Sequence, residues 1–149
     1  MSSETVNVVF FDLGDTLVTS SRGWITGAEG VLATLGIKRV RLGVISNTGT
    51  LTRTQLLQLL PSDFDMSVFE PGLVLLSSEV GVEKPALEIF QLAVERAGQQ
   101  PSQCLFCTEN LVDTLAAQQV GMRVARLQKP PASDLQELID GLMRARMLT

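Results

Sequence analysis

The sequence predicts an α/β fold in which a central parallel sheet is covered by helices on both faces. Three observations lead there. Short apolar runs alternate with helix-patterned segments along the chain, the pattern of a parallel sheet buried between helices. Gly and Pro stand at the boundaries between the two kinds of segment. The apolar runs end on polar residues, as strands do when they open into a ligand crevice at the carboxyl edge of such a sheet.

The first strand is read at Val6–Phe11, followed by a turn at Asp12-Leu-Gly-Asp. Residues 26–36 read as a helix, with Ala28, Val31, Leu32 and Leu35 spaced as an apolar stripe and Gly36 as its stop. A second strand covers Arg41–Ile45 and ends at Ser46-Asn-Thr-Gly, and a helix follows from Thr52 to Leu60, stopped by Pro61. Met66–Phe69 is read as a short third strand. Segment 73–79 is open between a further strand and a short helix. Pro85 suits the first turn of a helix that runs to Ala97 and closes at Gly98. Strands at Cys104–Cys107 and Arg123–Leu127 flank a helix at Leu111–Gln119 with Gly121 after it. Lys129-Pro-Pro is a break, and Ser133–Met147 reads as an amphipathic helix capped by Ser133. With 149 residues and no repeat or low-complexity stretch, residues 1–149 are expected to form one domain.

Composition removes whole classes of function. Hydrophobic residues make up 45% and charged residues 19%, and the net charge is −4. No basic stripe is available to neutralise phosphates, so no nucleic-acid partner is expected. No apolar run approaches membrane-spanning length and no leader pattern is seen, so a cytoplasmic location away from membranes is the expectation. The chain has no His, which excludes His-based acid–base chemistry and His-ligated zinc. Cys104 and Cys107 form a C-x-x-C match. They lie within a strand and therefore point to opposite faces, so they are read as core residues rather than a redox pair. Trp24 is likewise read as a packing residue.

The chemistry must come from carboxylates, Lys and hydroxyls, and these collect at the strand ends. Asp12 and Asp15 leave the first strand, Ser46 and Asn47 leave the second, and Thr108, Glu109 and Asn110 leave the fourth, with Asp113 just beyond. Lys84 precedes a helix in the same region. A carboxylate emerging from a buried strand can attack phosphorus and form an aspartyl-phosphate, which splits one hard displacement into two easier ones. An anion attacking an anionic phosphoester needs charge compensation. Mg²⁺ held by Asp12 and another carboxylate, together with the Lys84 ammonium, would provide it. Ser46 and Asn47, with nearby backbone N–H groups, can bind phosphoryl oxygens. Taken singly, each of these features also has a bland reading as a turn, a cap or a solvated residue. It is their joint order that points to a site.

That ordered set resembles the haloacid dehalogenase superfamily over nearly the whole chain. Phe11-Asp-Leu-Gly-Asp-Thr-Leu-Val18 is similar to its first motif, Val44-Ile-Ser-Asn-Thr-Gly49 to its second and Gly81-Val-Glu-Lys-Pro85 to its third. Cys104-Leu-Phe-Cys-Thr-Glu-Asn110, continuing to Gly121-Met-Arg-Val124, is similar to the fourth. The resemblance implies a Rossmann-like three-layer α/β/α sandwich. It implies Asp12 as nucleophile, Lys84 as the catalytic cation and Ser46 on the phosphate. It places Mg²⁺ on Asp12, the Gly14 carbonyl and a fourth-motif acid, Glu109 or Asp113. Residues 19–45 leave no room for an inserted cap domain.

Two departures matter. The usual acid/base Asp, two residues past the nucleophile, is Gly14 here, and the usual Gly-Asp of the fourth motif is Thr108-Glu109. Loss of a general acid costs roughly 10²–10⁴-fold in rate. The leading expectation is a Mg²⁺-dependent phosphomonoester phosphatase acting on a phosphorylated small molecule or a macromolecular phosphoester. The alternative is a weakly active or inactive binding module that keeps the fold. Dehalogenation ranks lower because it needs a capped apolar pocket. A receiver-like phosphoacceptor is disfavoured because its Asp should end the third strand.

Overall fold

The structure, a computed structural model, describes residues 5–127. Five strands, β1 (Val8–Phe11), β2 (Arg41–Ser46), β3 (Val74–Leu76), β4 (Cys104–Thr108) and β5 (Arg123–Arg126), form one parallel sheet in the order β3-β2-β1-β4-β5. The helices are α1 (Ala28–Ile37), α2 (Arg53–Gln58), α3 (Ser77–Val80), α4 (Leu87–Ala97) and α5 (Leu111–Val120). The parallel sheet covered on both faces is what the alternating pattern predicts, and the Rossmann-like α/β sandwich is what the resemblance implies. Between β1 and β2 lie a turn, two isolated bridges and α1, with no inserted cap.

Strand alternation sorts the core into two layers. Val9 and Phe11 of β1, Val44 of β2 and Cys107 of β4 face one side, where Val31 and Leu35 of α1 cover them. Val8, Phe10, Ile45, Cys104 and Phe106 face the other, beneath Ile89, Phe90 and Ala93 of α4 and Ala117 of α5. Phe90 meets Phe106 edge-on with ring centroids 5.2 Å apart. Full burial of each such side chain contributes about 1.5–3 kcal/mol. Gly43 stands within β2 for a steric reason: a Cβ there would sit 2.6 Å from the Leu73 carbonyl oxygen and from the Phe10 ring.

Several local expectations are corrected. Met66–Phe69 is not a strand. Met66–Val68 is a 3₁₀ turn closed by the Asp65 carboxylate, which accepts the Ser67 N–H at 2.9 Å. Segment 73–79 holds both of its alternatives in succession, β3 and then α3. Gly36 does not stop α1, which runs to Ile37, and the chain turns away through Arg39 at φ 61. Pro85 precedes α4 rather than opening it, because α4 starts at Leu87. The helix read at Ser133–Met147 lies outside the described residues. Trp24 stacks on Phe64 at 5.2 Å and donates its indole N–H to Asp63 at 2.9 Å, which is a packing role. No helix among the described residues is long and apolar enough to cross a membrane.

Candidate active site

Strand order puts a topological switch point between β1 and β4. The chain leaves β1 for β2 on one side and later returns to β4 on the other, which is where sheets of this kind form their ligand crevice. Asp12 follows β1 directly, and its N–H donates to the Cys107 carbonyl at 3.0 Å, so the β1–β4 ladder carries it to the mouth of that crevice. The turn after it is tight: the N–H groups of Thr16, Leu17 and Val18 all donate to the Leu13 carbonyl, at 3.2, 2.9 and 3.0 Å. This turn directs the Leu13 N–H onto Asp12 Oδ1 at 2.8 Å.

Lys84 meets Asp12 from the far side of the sequence. Its Nζ lies 2.8 Å from Asp12 Oδ2 and 3.5 Å from Asp113 Oδ2. The ammonium end is almost wholly enclosed, with 2% of the side chain exposed, and sits 5.5 Å from the centroid of the Phe106 ring. Burial of an ammonium is tolerated only with carboxylate partners, and here it has two. Asp113 is placed by its helix. Asn110 caps α5 by accepting the Asp113 N–H at 3.0 Å, which brings Asp113 into the first turn facing Lys84. Burial holds the Asp113 carboxyl above its ordinary range, and attraction from Lys84 offsets part of that effect.

Asn47 has a job that sequence spacing does not reveal. Its amide nitrogen donates to the Lys84 carbonyl at 2.9 Å, and its amide oxygen accepts the Lys84 N–H at 2.8 Å. The side chain read as a phosphate ligand is therefore engaged in clamping the Lys84 backbone. Ser46 ends β2 buried, and its hydroxyl makes no hydrogen bond among the described residues. The loop beyond it is fixed by hydroxyls that spacing also left unnoticed. The Thr48 N–H donates to Ser77 Oγ at 2.8 Å, and the Ser78 N–H donates to Thr48 Oγ1 at 3.0 Å. A polar cavity of about 390 Å³, lined by Gly49, Ser78, Gly81 and Glu83 among others, opens beside this loop. A more apolar cavity of about 460 Å³ runs between Trp24, α1 and Phe69, and neither Asp12 nor Lys84 lines either cavity.

Thr108 is a further member of the site. It is fully buried at the end of β4, and its hydroxyl donates to Asp12 Oδ2 at 3.2 Å. The one signal for it in the sequence is a polar residue closing an apolar run. Cys104 and Cys107 are buried on opposite faces of the sheet, where burial pushes their thiols up to about 11 and about 12. Neither is poised as a nucleophile.

The oxygen-only character of the acids and the Gly14 carbonyl suits a hard cation. Among the described residues no three acidic, His or Cys side chains gather closely enough to hold a metal by themselves. Mg²⁺ does not require that, since it binds through one or two carboxylates and keeps several waters. Asp12 and Asp113 converge on one ammonium, and Glu109, half-buried after β4, is close enough to act on the charge of Asp113. Gly14 stands exposed in the turn beyond Asp12, and a Cβ added there would meet nothing within 4 Å.

No protein-family model and no curated protein matches the chain. Solved structures do. An uncharacterized protein from Listeria monocytogenes serotype 4b superposes with a TM-score of 0.79 at 17% identity, covering 95% of this chain and 99% of that one. A HAD-superfamily hydrolase of subfamily IA from Geobacter sulfurreducens PCA gives 0.75 at 20% identity, covering 93% and 100%. A HAD family enzyme from Bacteroides thetaiotaomicron, solved with magnesium and inorganic phosphate, gives 0.69 at 16% identity, covering 89% and 98%. The fold of this chain is that of the HAD-like hydrolases.

Proposed function

We propose that the protein is a Mg²⁺-dependent phosphomonoester hydrolase that works through an aspartyl-phosphate on Asp12. The observation that carries this reading is the 2.8 Å contact between Asp12 Oδ2 and the enclosed Lys84 ammonium, at the carboxyl edge where β1 and β4 part. A partly exposed carboxylate with a buried cation beside it suits phosphoryl transfer without His. The magnesium and phosphate bound by the Bacteroides relative support the same chemistry for this fold.

In this reading an Asp12 oxygen attacks the phosphorus and the ester oxygen departs. Lys84, held rigid by Asn47, offsets the charge on the nucleophile and the phosphoryl group as they approach. Ser46 and the backbone N–H groups after β2 receive the phosphoryl oxygens. Mg²⁺, held by Asp12, the Gly14 carbonyl and Glu109 or Asp113, would supply further charge neutralisation. With Gly at position 14 the usual leaving-group acid is missing, so esters of acidic alcohols should react best. The lack of an inserted cap in the segment joining β1 to β2 suits phosphorylated small molecules or exposed macromolecular phosphoesters.

The decisive assay is hydrolysis of 4-nitrophenyl phosphate with and without Mg²⁺, beside Asp12→Asn. Metal-dependent turnover that the variant loses supports the reading, and turnover surviving in the variant refutes it. A weakly active binding module is favoured by Gly14 and by the want of a three-acid cluster among the described residues. Mg²⁺ binding without hydrolysis of any phosphoester would select it.

A further inference from the structure

Thr108 stands where the resembled motif has Gly, and its side chain adds a contact to the nucleophile. The hydroxyl is fully buried, accepts the Asn110 N–H at 3.2 Å and donates its single proton to Asp12 Oδ2 at 3.2 Å. The Asp12 carboxylate therefore faces three donors: the Leu13 N–H on Oδ1, and Lys84 Nζ and Thr108 Oγ1 on Oδ2. Donors aimed at a carboxylate are strongest when it carries its full charge. In a two-step hydrolysis that charge is spent when Asp12 attacks and is restored when water displaces Asp12 from phosphorus.

We propose, resting on the phosphatase reading above, that Thr108 acts in the second step by stabilising Asp12 as the leaving group of the aspartyl-phosphate. In that step a water oxygen forms a bond to phosphorus and the bond between phosphorus and the Asp12 oxygen breaks. The electron pair returns to the carboxylate, and the water proton leaves with the released phosphate. With Gly14 in place of an acid/base side chain, no residue two places beyond Asp12 activates the water. A better leaving group is one way to speed this step. The same donor makes Asp12 a slightly poorer nucleophile in the first step, so its loss shifts the balance between the steps rather than slowing both.

The test is stopped-flow hydrolysis of 4-nitrophenyl phosphate in saturating Mg²⁺, reading the nitrophenolate burst and the steady rate separately. Thr108→Val removes the donor at nearly constant volume. It should lower the steady rate by about tenfold, from the strength of one hydrogen bond to a charged group, and raise the burst towards one equivalent per site with its rate constant unchanged or higher. Thr108→Ser keeps the hydroxyl and should restore the wild-type partition. Thr108→Ala carries the same expectation as valine should circular dichroism show that the valine variant has lost its fold. Valine without a larger burst, or serine behaving as valine, overturns the inference while leaving the phosphatase reading intact. A wild-type protein without Mg²⁺-dependent turnover overturns both.

Discussion

Replacing Lys84 by Met tests the electrostatic design of the site through stability alone. The substitution keeps the length and volume of the side chain, so it removes the charge while leaving little cavity. What remains is Asp12 and Asp113, with 15% and 10% of their side chains exposed and no ammonium between them. Removing one partner of a buried ion pair costs about 3–5 kcal/mol, because the other charge stays behind unpaired. For a chain of this size each kcal/mol moves the melting temperature by roughly 2–4 °C, so a fall of about 6–20 °C is expected near neutral pH in EDTA. The pH dependence fixes the cause. Asp113 is already held above its ordinary value by burial, with Lys84 offsetting part of that; without Lys84 its folded-state pKa rises further. An acid whose folded pKa exceeds its unfolded one destabilises the fold above that folded pKa, and the penalty vanishes as pH drops towards the unfolded value. Thermal melts from about pH 8 to about pH 4 should therefore show the Met variant recovering towards wild type. An unchanged melting temperature at neutral pH, or a deficit that grows on acidification, would refute the description of Lys84 as a buried charge held by two carboxylates.

Three further outcomes follow from the same geometry. Asp113→Asn removes a carboxylate whose burial is unfavourable when ionised, so its melting temperature relative to wild type should rise as pH increases from the ordinary value of 3.8 upward; a relative fall would mean that the Lys84 contact outweighs burial. Gly14→Asp meets open space and restores an acid two residues past the nucleophile; hydrolysis of alkyl phosphates should rise by roughly 10²-fold or more while aryl phosphates change less, and equal effects on both would exclude leaving-group protonation. Asn47→Ala breaks the two hydrogen bonds to the Lys84 backbone, which should lower kcat more than it weakens inhibition by inorganic phosphate; the opposite split would make Asn47 a phosphate ligand.

The framework was legible because burial on both faces writes itself as apolar runs. Val8–Phe11, Arg41–Ser46 and Cys104–Thr108 were each found within a residue or two. Met66–Phe69 misled for want of tertiary information: a short mixed segment carries too little pattern, and the Asp65 side chain decides it by closing a 3₁₀ turn. Gly36 looked like a helix stop, yet α1 continues through it, since Gly weakens a helix without having to end it. Within the site, Asp12 and Lys84 were legible because each sits beside a strand or helix boundary. The partner of Asn47 was not, because the amide closes on the backbone of residue 84, a contact made only by folding. Thr108 was seen as a departure from a motif, and only its burial and its 3.2 Å approach to Asp12 give it a task.

The most direct measurement is mass spectrometry of the protein acid-quenched within milliseconds of mixing with Mg²⁺ and 4-nitrophenyl phosphate, followed by peptide mapping. A phosphoryl adduct on Asp12, absent from Asp12→Asn and from samples without Mg²⁺, is the predicted result. Turnover with the phosphoryl group on another residue would contradict the central role of Asp12, as would turnover that continues in Asp12→Asn.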